Sequence, residues 1–152
     1  MNNLTFEIKN SKDFLDKLQK DFKDYLDSDN SSRIAINCAM TSWHLTEWIY
    51  HEYNFNKKFK KNNYQKHIKK LCPSLQIMHD ISNGSKHYKL DWHKPLIEAT
   101  ERKEGPFDHT FDFTFEKTML RIILPNNEIV IYDEELKKTI NFWENYLNKL
   151  SR

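Results

Sequence analysis

The residues whose side chains could most readily take part in a reaction lie in one segment, Trp43-His44-Leu45-Thr46-Glu47-Trp48, which continues to His51. A helix turns by about 100° per residue, so His44, Glu47 and His51 fall on one side of it. We therefore expect a line of ionisable groups along a helix that is otherwise apolar and buried. Buried ionisable groups need partners, so this line requires an explanation.

A second polar segment, His79 to Tyr88, can supply those partners. If its helix continues through Gly84, the side chains of His79, Asn83, Lys86 and His87 share one face. We expect the two polar faces to meet. The candidate catalytic site then consists of His44, Glu47, Asn83, Lys86 and His87.

Two interpretations of this site remain open. In the functional one, an imidazole acts as general acid or base, the Lys86 ammonium holds an anionic group such as phosphate, and Glu47 fixes the tautomer of His44. In the structural one, Glu47 pairs with Lys86 and the histidines are satisfied core residues. Metal sites in helical bundles use several inward carboxylates and only Glu47 is well placed, so we predict no metal and no cofactor.

The stretch between Glu52 and Asp80 contains no acidic residue. It contains seven lysines, and a surface rich in lysine attracts phosphate backbones regardless of their sequence. Phe59 and Tyr64 in the same stretch could stack on unpaired bases. The alternative is a solvated lysine-rich helix with both aromatic rings facing inward. The predicted nucleic-acid-binding residues are Lys57, Lys58, Lys60, Lys61, Lys66, Lys69 and Lys70.

The whole chain fits one domain, residues 1–152, with 38% hydrophobic residues and a net charge of +2. Its apolar stretches are far shorter than the roughly 20 residues that span a bilayer. The amino terminus has no signal-peptide pattern, and the two cysteines form no disulfide framework. We expect a cytoplasmic protein without a membrane partner.

Apolar residues at a period of 3.6 predict helices from Ser11 as N-cap to 27, from 32 to about 53, from 63 to 71, and after Pro73. In the helix after Pro73, Gly84 either ends the helix or permits a close contact.

Residues 91–106 are predicted to be a loop because they carry turn-forming residues. The period then changes to 2, which predicts strands at 107–115, 119–124 and 128–132. A final helix follows, with Asp133 as its cap. The fold class is therefore α+β: a bundle of four or five helices with a three-stranded antiparallel meander before the last helix.

The segment Asn83-Gly84-Ser85-Lys86-His87 resembles the nuclease motif of HEPN domains, which are small helical modules. The resemblance implies RNA cleavage without metal at a homodimer interface. His87 would be the general acid or base, Lys86 would stabilise phosphate charge and Asn83 would orient the substrate. The motif arginine is missing because Ser82 stands in its place, and a lysine does not replace a bidentate guanidinium.

A closer resemblance covers most of the chain. It is to a family of small bacterial helical proteins of undetermined activity, with elements similar to His44-Leu45-Thr46-Glu47-Trp48 and to Asn83-Gly84-Ser85-Lys86-His87-Tyr88, followed by a short sheet and a helix with a tryptophan like Trp143. This resemblance implies the domain plan and no particular activity.

Two functions follow as hypotheses. The first is a HEPN-like RNA-binding protein that cleaves RNA in a toxin or phage-defence system. The second is a non-catalytic interaction module, such as an inhibitor, antitoxin or accessory subunit, in which exposed aromatic residues at 107–115 meet a protein partner.

Overall fold

A computed structural model describes residues 4–92, 94–104 and 118–152. These ranges contain five α-helices and a three-stranded antiparallel sheet that precedes the last helix, which confirms the predicted α+β class. The helices are α1 (Ser11–Asp27), α2 (Ser32–Glu52), α3 (Lys61–Leu71), α4 (Ser74–Lys86) and α5 (Tyr132–Leu150). The strands are β1 (Ala99–Lys103), β2 (Met119–Ile123) and β3 (Ile129–Ile131).

Helix α2 lies at the centre of the bundle and packs on α1, α4 and α5. Trp143 of α5 is fully buried, and its indole Nε1 donates a hydrogen bond to the Ser42 carbonyl at 2.9 Å. Tyr132 donates from its hydroxyl to the Ala35 carbonyl at 2.6 Å. Because buried polar groups need partners, these two bonds fix the position of α5 along α2.

Neither of the two predicted helix caps, Ser11 and Asp133, is observed. Asn10 caps α1 by accepting a hydrogen bond from the Asp13 backbone N–H at 2.9 Å, and Ser11 is the first helical residue. Helix α5 begins at Tyr132 without a side-chain cap, so Asp133 does not cap it. The Asp133 carboxylate instead accepts a hydrogen bond from the Tyr25 hydroxyl, which ties α5 to α1.

The sheet has the order β1-β2-β3, and both pairs are antiparallel. Strand β1 lies in the segment predicted to be a loop, so that prediction is wrong. Its sequence, ATERK, has no apolar alternation, and most of its side chains are exposed. The strands predicted at 119–124 and 128–132 are confirmed, with Tyr132 already in α5. The predicted strand at 107–115 lies outside the described residues.

The approach to β1 is held on α4 by one buried carboxylate. Asp80 is only 2% exposed, and its Oδ2 accepts hydrogen bonds from the backbone N–H of Leu96 at 2.7 Å and of Ile97 at 3.2 Å. Its Oδ1 accepts from the Gln76 side chain at 2.8 Å. Asp80 therefore positions the first strand relative to the helical bundle.

Gly84 plays neither of its predicted roles. Helix α4 continues through it to Lys86, and a methyl group placed at Gly84 would meet nothing within 4 Å. The prediction that His79 and Asn83 lie on a continuous helix is confirmed, whereas His87 leaves the helix with extended backbone angles. Within the described ranges, none of the helices combines the length and apolar character needed to cross a membrane.

Candidate functional site

The polar line on α2 faces solvent. His44, Glu47 and His51 are all exposed, as are Arg33 and Asn37, which precede them on the same strip at helical spacing. The expectation that α2 is buried on this side is therefore wrong. Each side chain keeps part of its surface in water, although neighbouring groups partly cover the His44 ring, so these residues need no buried partners.

Glu47 is directed toward α3. Its carboxylate lies 3.3 Å from the Lys61 ammonium and 3.9 Å from His51 Nε2. The predicted structural pairing of Glu47 with Lys86 is wrong, and no hydrogen bond joins Glu47 to His44 among the described contacts. Because the pairs are exposed, they contribute little to stability.

Side chains from three helices surround His79, and we name Trp43, Lys69, His79 and Asn83 the His79 cluster. The His79 ring stacks on Trp43 with 4.0 Å between centroids and 15° between planes. Lys69 Nζ lies 2.6 Å from His79 Nδ1, and Asn83 Nδ2 lies 3.0 Å from His79 Nε2. Lys69 Nζ also lies 4.8 Å from the Trp43 ring centroid. The cluster joins α2, α3 and α4.

Which nitrogen of His79 carries the proton depends on whether Lys69 is charged. A charged Lys69 can only donate, so His79 Nδ1 would accept and Nε2 would carry the proton, which requires Asn83 to present its oxygen. With a neutral Lys69 amine, the roles reverse and the Asn83 amide donates. Burial lowers the pKa of Lys69, and the negative charge of Asp80 opposes this change. Both arrangements satisfy every ring nitrogen.

The positive charge of Lys86 acts on His44 across the α2–α4 contact. Partial burial of the imidazole lowers the pKa of His44; Glu47 raises it, and the positive charges of Lys86 and Lys17 lower it further. A pKa below 6.5 leaves His44 largely neutral near pH 7, so its ring can accept a proton.

The remaining predicted residues are divided between two environments. His87 is exposed at the end of α4, where its backbone N–H donates to the Asn83 carbonyl at 2.9 Å. The Asn83 side chain is turned to His79 instead of toward His44. Lys86 and His87 thus lie at the solvent edge, whereas Asn83 belongs to the His79 cluster.

The position of the missing motif arginine is buried. Ser82 is 6% exposed and lies on the side of α4 that faces the core. A guanidinium at this position would be taken out of water, which is costly without a paired anion. An arginine in place of Ser82, as in the HEPN motif, would therefore not lie on the surface of α4.

The seven predicted lysines divide into two groups. Lys61 pairs with Glu47, and Lys69 belongs to the His79 cluster. The other five are exposed, and no ion pair or hydrogen bond engages their ammonium groups in the described part of the chain. We name these five the lysine surface: Lys57, Lys58, Lys60, Lys66 and Lys70.

The two aromatic residues of this stretch differ. Tyr64 is buried and stacks on Phe55 with 5.1 Å between centroids, as the inward-facing alternative predicts. Phe59 is 53% exposed, so the inward prediction is wrong for it. One aromatic ring therefore lies beside the lysine surface and is open to solvent.

A groove of about 280 Å³ lies elsewhere, between the sheet and the helices α2 and α4. Its apolar lining includes Ile36, Ile81 and Leu120, and none of the predicted site residues lines it. Across the described ranges, no three His, Cys, Asp or Glu side chains come together as metal ligands.

The contact between Lys69 and His79 is not among the predicted interactions. The spacing of His79 and Asn83, four residues apart on one helix, was a usable signal, whereas nothing in the sequence places Lys69 beside them.

In comparisons with known proteins, no family model, no curated protein and no solved structure matches this chain.

Proposed function

We propose that the protein binds RNA and that the lysine surface holds the phosphate backbone. The observation that carries this proposal is that five exposed lysines lie within residues 57–70, the same stretch as the half-exposed ring of Phe59, and have no ion partners among the described residues. Lysines that are not neutralised within the protein can release counterions from a polyphosphate. An exposed ring next to them can stack on an unpaired base.

The local fold supports this role because Lys66 and Lys70 lie on α3, and the other three lysines lie in the turn that leads into it. Tyr64 and Ile68 of α3 are buried against the body, so the residues around them are directed outward. The Tyr50 hydroxyl donates to the Phe59 carbonyl, which fixes the backbone beside Lys58 and Lys60. A positioned row of charges loses less conformational entropy on binding than a mobile tail does.

Binding is tested by fluorescence anisotropy of a labelled single-stranded RNA over a series of salt concentrations. We expect the triple variant K57Q/K58Q/K60Q to bind more weakly and to reduce the slope of log affinity against log salt by about 0.7 per lost phosphate contact. The matched control is K12Q/K20Q/K23Q, which removes the same charge from exposed positions on α1. Equal effects of the two variants would contradict a localised surface.

The second half of the proposal is RNA cleavage without metal. Neutral His44 would take the proton of a ribose 2′-hydroxyl, whose oxygen then attacks the adjacent phosphorus. His87 would give a proton to the departing 5′-oxygen, so the products are a 2′,3′-cyclic phosphate and a free 5′-hydroxyl. Lys86 would stabilise the added negative charge on the phosphate.

Cleavage is tested with end-labelled RNA in the presence of a chelator. We expect H87A and H44A to bind RNA normally and to lose cleavage, whereas H67A, an exposed histidine on α3, keeps it. If the unaltered protein binds RNA and leaves it intact, the cleavage half fails and the binding half stands. If it binds no RNA at low salt, the proposal fails and the protein-interaction hypothesis takes its place.

A further inference from the structure

The chain that leaves α4 is fixed to that helix at both ends. At its start, the His87 backbone N–H donates to the Asn83 carbonyl at 2.9 Å. At its end, the Leu96 backbone N–H donates to the buried carboxylate of Asp80 at 2.7 Å. The described residues between them, 88–92, 94 and 95, therefore lie between two points of one helix, as the residues of compact surface loops do. Loops held in this way often carry binding residues.

Two large aromatic side chains in this loop are completely open to solvent. The relative exposure is 110% for Tyr88 and 100% for Trp92. By contrast, the other tryptophans, Trp43, Trp48 and Trp143, are buried or half-buried. Tyrosine and tryptophan presented together on an anchored loop indicate a binding surface, because such rings form strong contacts with little loss of conformational freedom.

The charge around these rings distinguishes among partners. Lys86, Lys89 and Lys94 are exposed on the same loop or at its start, against a single acidic residue, Asp91. Lysine is depleted at protein–protein interfaces relative to the rest of the surface. A positively charged aromatic loop therefore fits an anionic partner with flat, accessible rings better than it fits another protein.

We infer that Tyr88 and Trp92 stack on unpaired bases of single-stranded RNA, with the neighbouring lysines contacting the phosphates. This inference rests on the proposed function and adds to it a substrate class, since bases inside a duplex are not available for such stacking. It also assigns a second contact region besides the lysine surface.

The test compares the double variant Y88A/W92A with the unaltered protein, by anisotropy, on single-stranded RNA and on a duplex of equal length. We expect the affinity for the single strand to fall by about fivefold to 150-fold for each base stack lost, with little change for the duplex. The salt slope stays the same because no phosphate contact is removed. The conservative variant Y88F/W92F keeps the rings and retains the binding.

Controls separate this inference from the proposal on which it rests. L71A removes an exposed apolar side chain from α3 and should leave both affinities unchanged. If Y88A/W92A binds the single strand as tightly as the unaltered protein, or loses duplex and single-strand binding by the same factor, the stacking inference is wrong while RNA binding by the lysine surface stands. If the unaltered protein binds no RNA, both are wrong.

Discussion

The imidazole of His79 lies flat on the indole of Trp43, with 4.0 Å between the ring centroids. Trp43 is 7% exposed, and the Lys69 ammonium lies 4.8 Å from its ring centroid. A cation near an indole face is attracted by the negative charge of the π system. Trp43 therefore contacts one residue from α3 and one from α4, and it is one of the residues that hold these helices to α2.

Replacement of Trp43 by alanine should destabilise the protein by about 3 to 5 kcal/mol, because it removes a large buried side chain and leaves a cavity. Urea unfolding followed by circular dichroism measures the effect. The matched control is W92A, which removes the same side chain from full exposure and should change the free energy of unfolding by no more than about 0.5 kcal/mol. Similar losses in the two variants would contradict the assigned burial.

Asp80 holds the approach to β1, so D80A should release it. The substitution leaves the backbone N–H groups of Leu96 and Ile97 without their acceptor, at a cost of about 3 kcal/mol in unfolding free energy. Hydrogen exchange measured by NMR should show faster exchange of these two amides. The exposed Asp91 offers a control, since D91A should leave both rates unchanged. Continued protection in D80A would show that another group orders this segment.

The helices could be predicted because their apolar stripes repeat over many turns and indicate which face is buried. Strand β1 could not, since its charged side chains are largely exposed and the strand is defined by its pairing with β2 and by Asp80. Such an edge strand carries no alternation in its own sequence. The helix caps were missed for a simpler reason: neighbouring polar residues compete for one cap, as Asn10 and Ser11 do.

The candidate site was only partly predictable. Periodicity places His44, Glu47 and His51 on one strip of α2, which the structure confirms. The pattern does not state whether that strip faces a neighbouring helix or water. Arg33 and Asn37 on the same strip were the sequence signal for exposure. The Lys69–His79 contact depends on how α3 packs against α4, which no local pattern specifies.

Gly84 in the interior of α4 should be replaceable by alanine with a gain in stability. A methyl group would meet nothing within 4 Å, and alanine favours the helix over glycine by about 1 kcal/mol. The midpoint of urea unfolding should rise accordingly. S85A, at the next position, is not a suitable comparison, because it would also remove the hydrogen bond that the Ser85 hydroxyl donates to the Ser82 carbonyl. A loss of stability in G84A would show that the backbone at Gly84 is not ordinary helix.

The titration of His44 tests the electrostatics of the candidate site. Its pKa should lie below 6.5, chiefly because neighbouring groups partly bury the ring. The unfolded chain then binds more protons than the folded protein between the folded pKa and 6.5. Within that window the free energy of unfolding should rise with pH, and outside it His44 should contribute no pH dependence. NMR of the imidazole carbon-bound proton measures the pKa directly.

Substitutions of the neighbouring charges should move this pKa in opposite directions. K86Q removes a repulsive positive charge and should raise the pKa of His44, whereas E47Q removes an attractive negative charge and should lower it. K12Q neutralises an exposed lysine at the start of α1 and should leave the titration unchanged. If K86Q has no effect, then the end of α4 does not lie close enough to His44 for the two to act on one phosphate group, and the proposed cleavage site loses its basis.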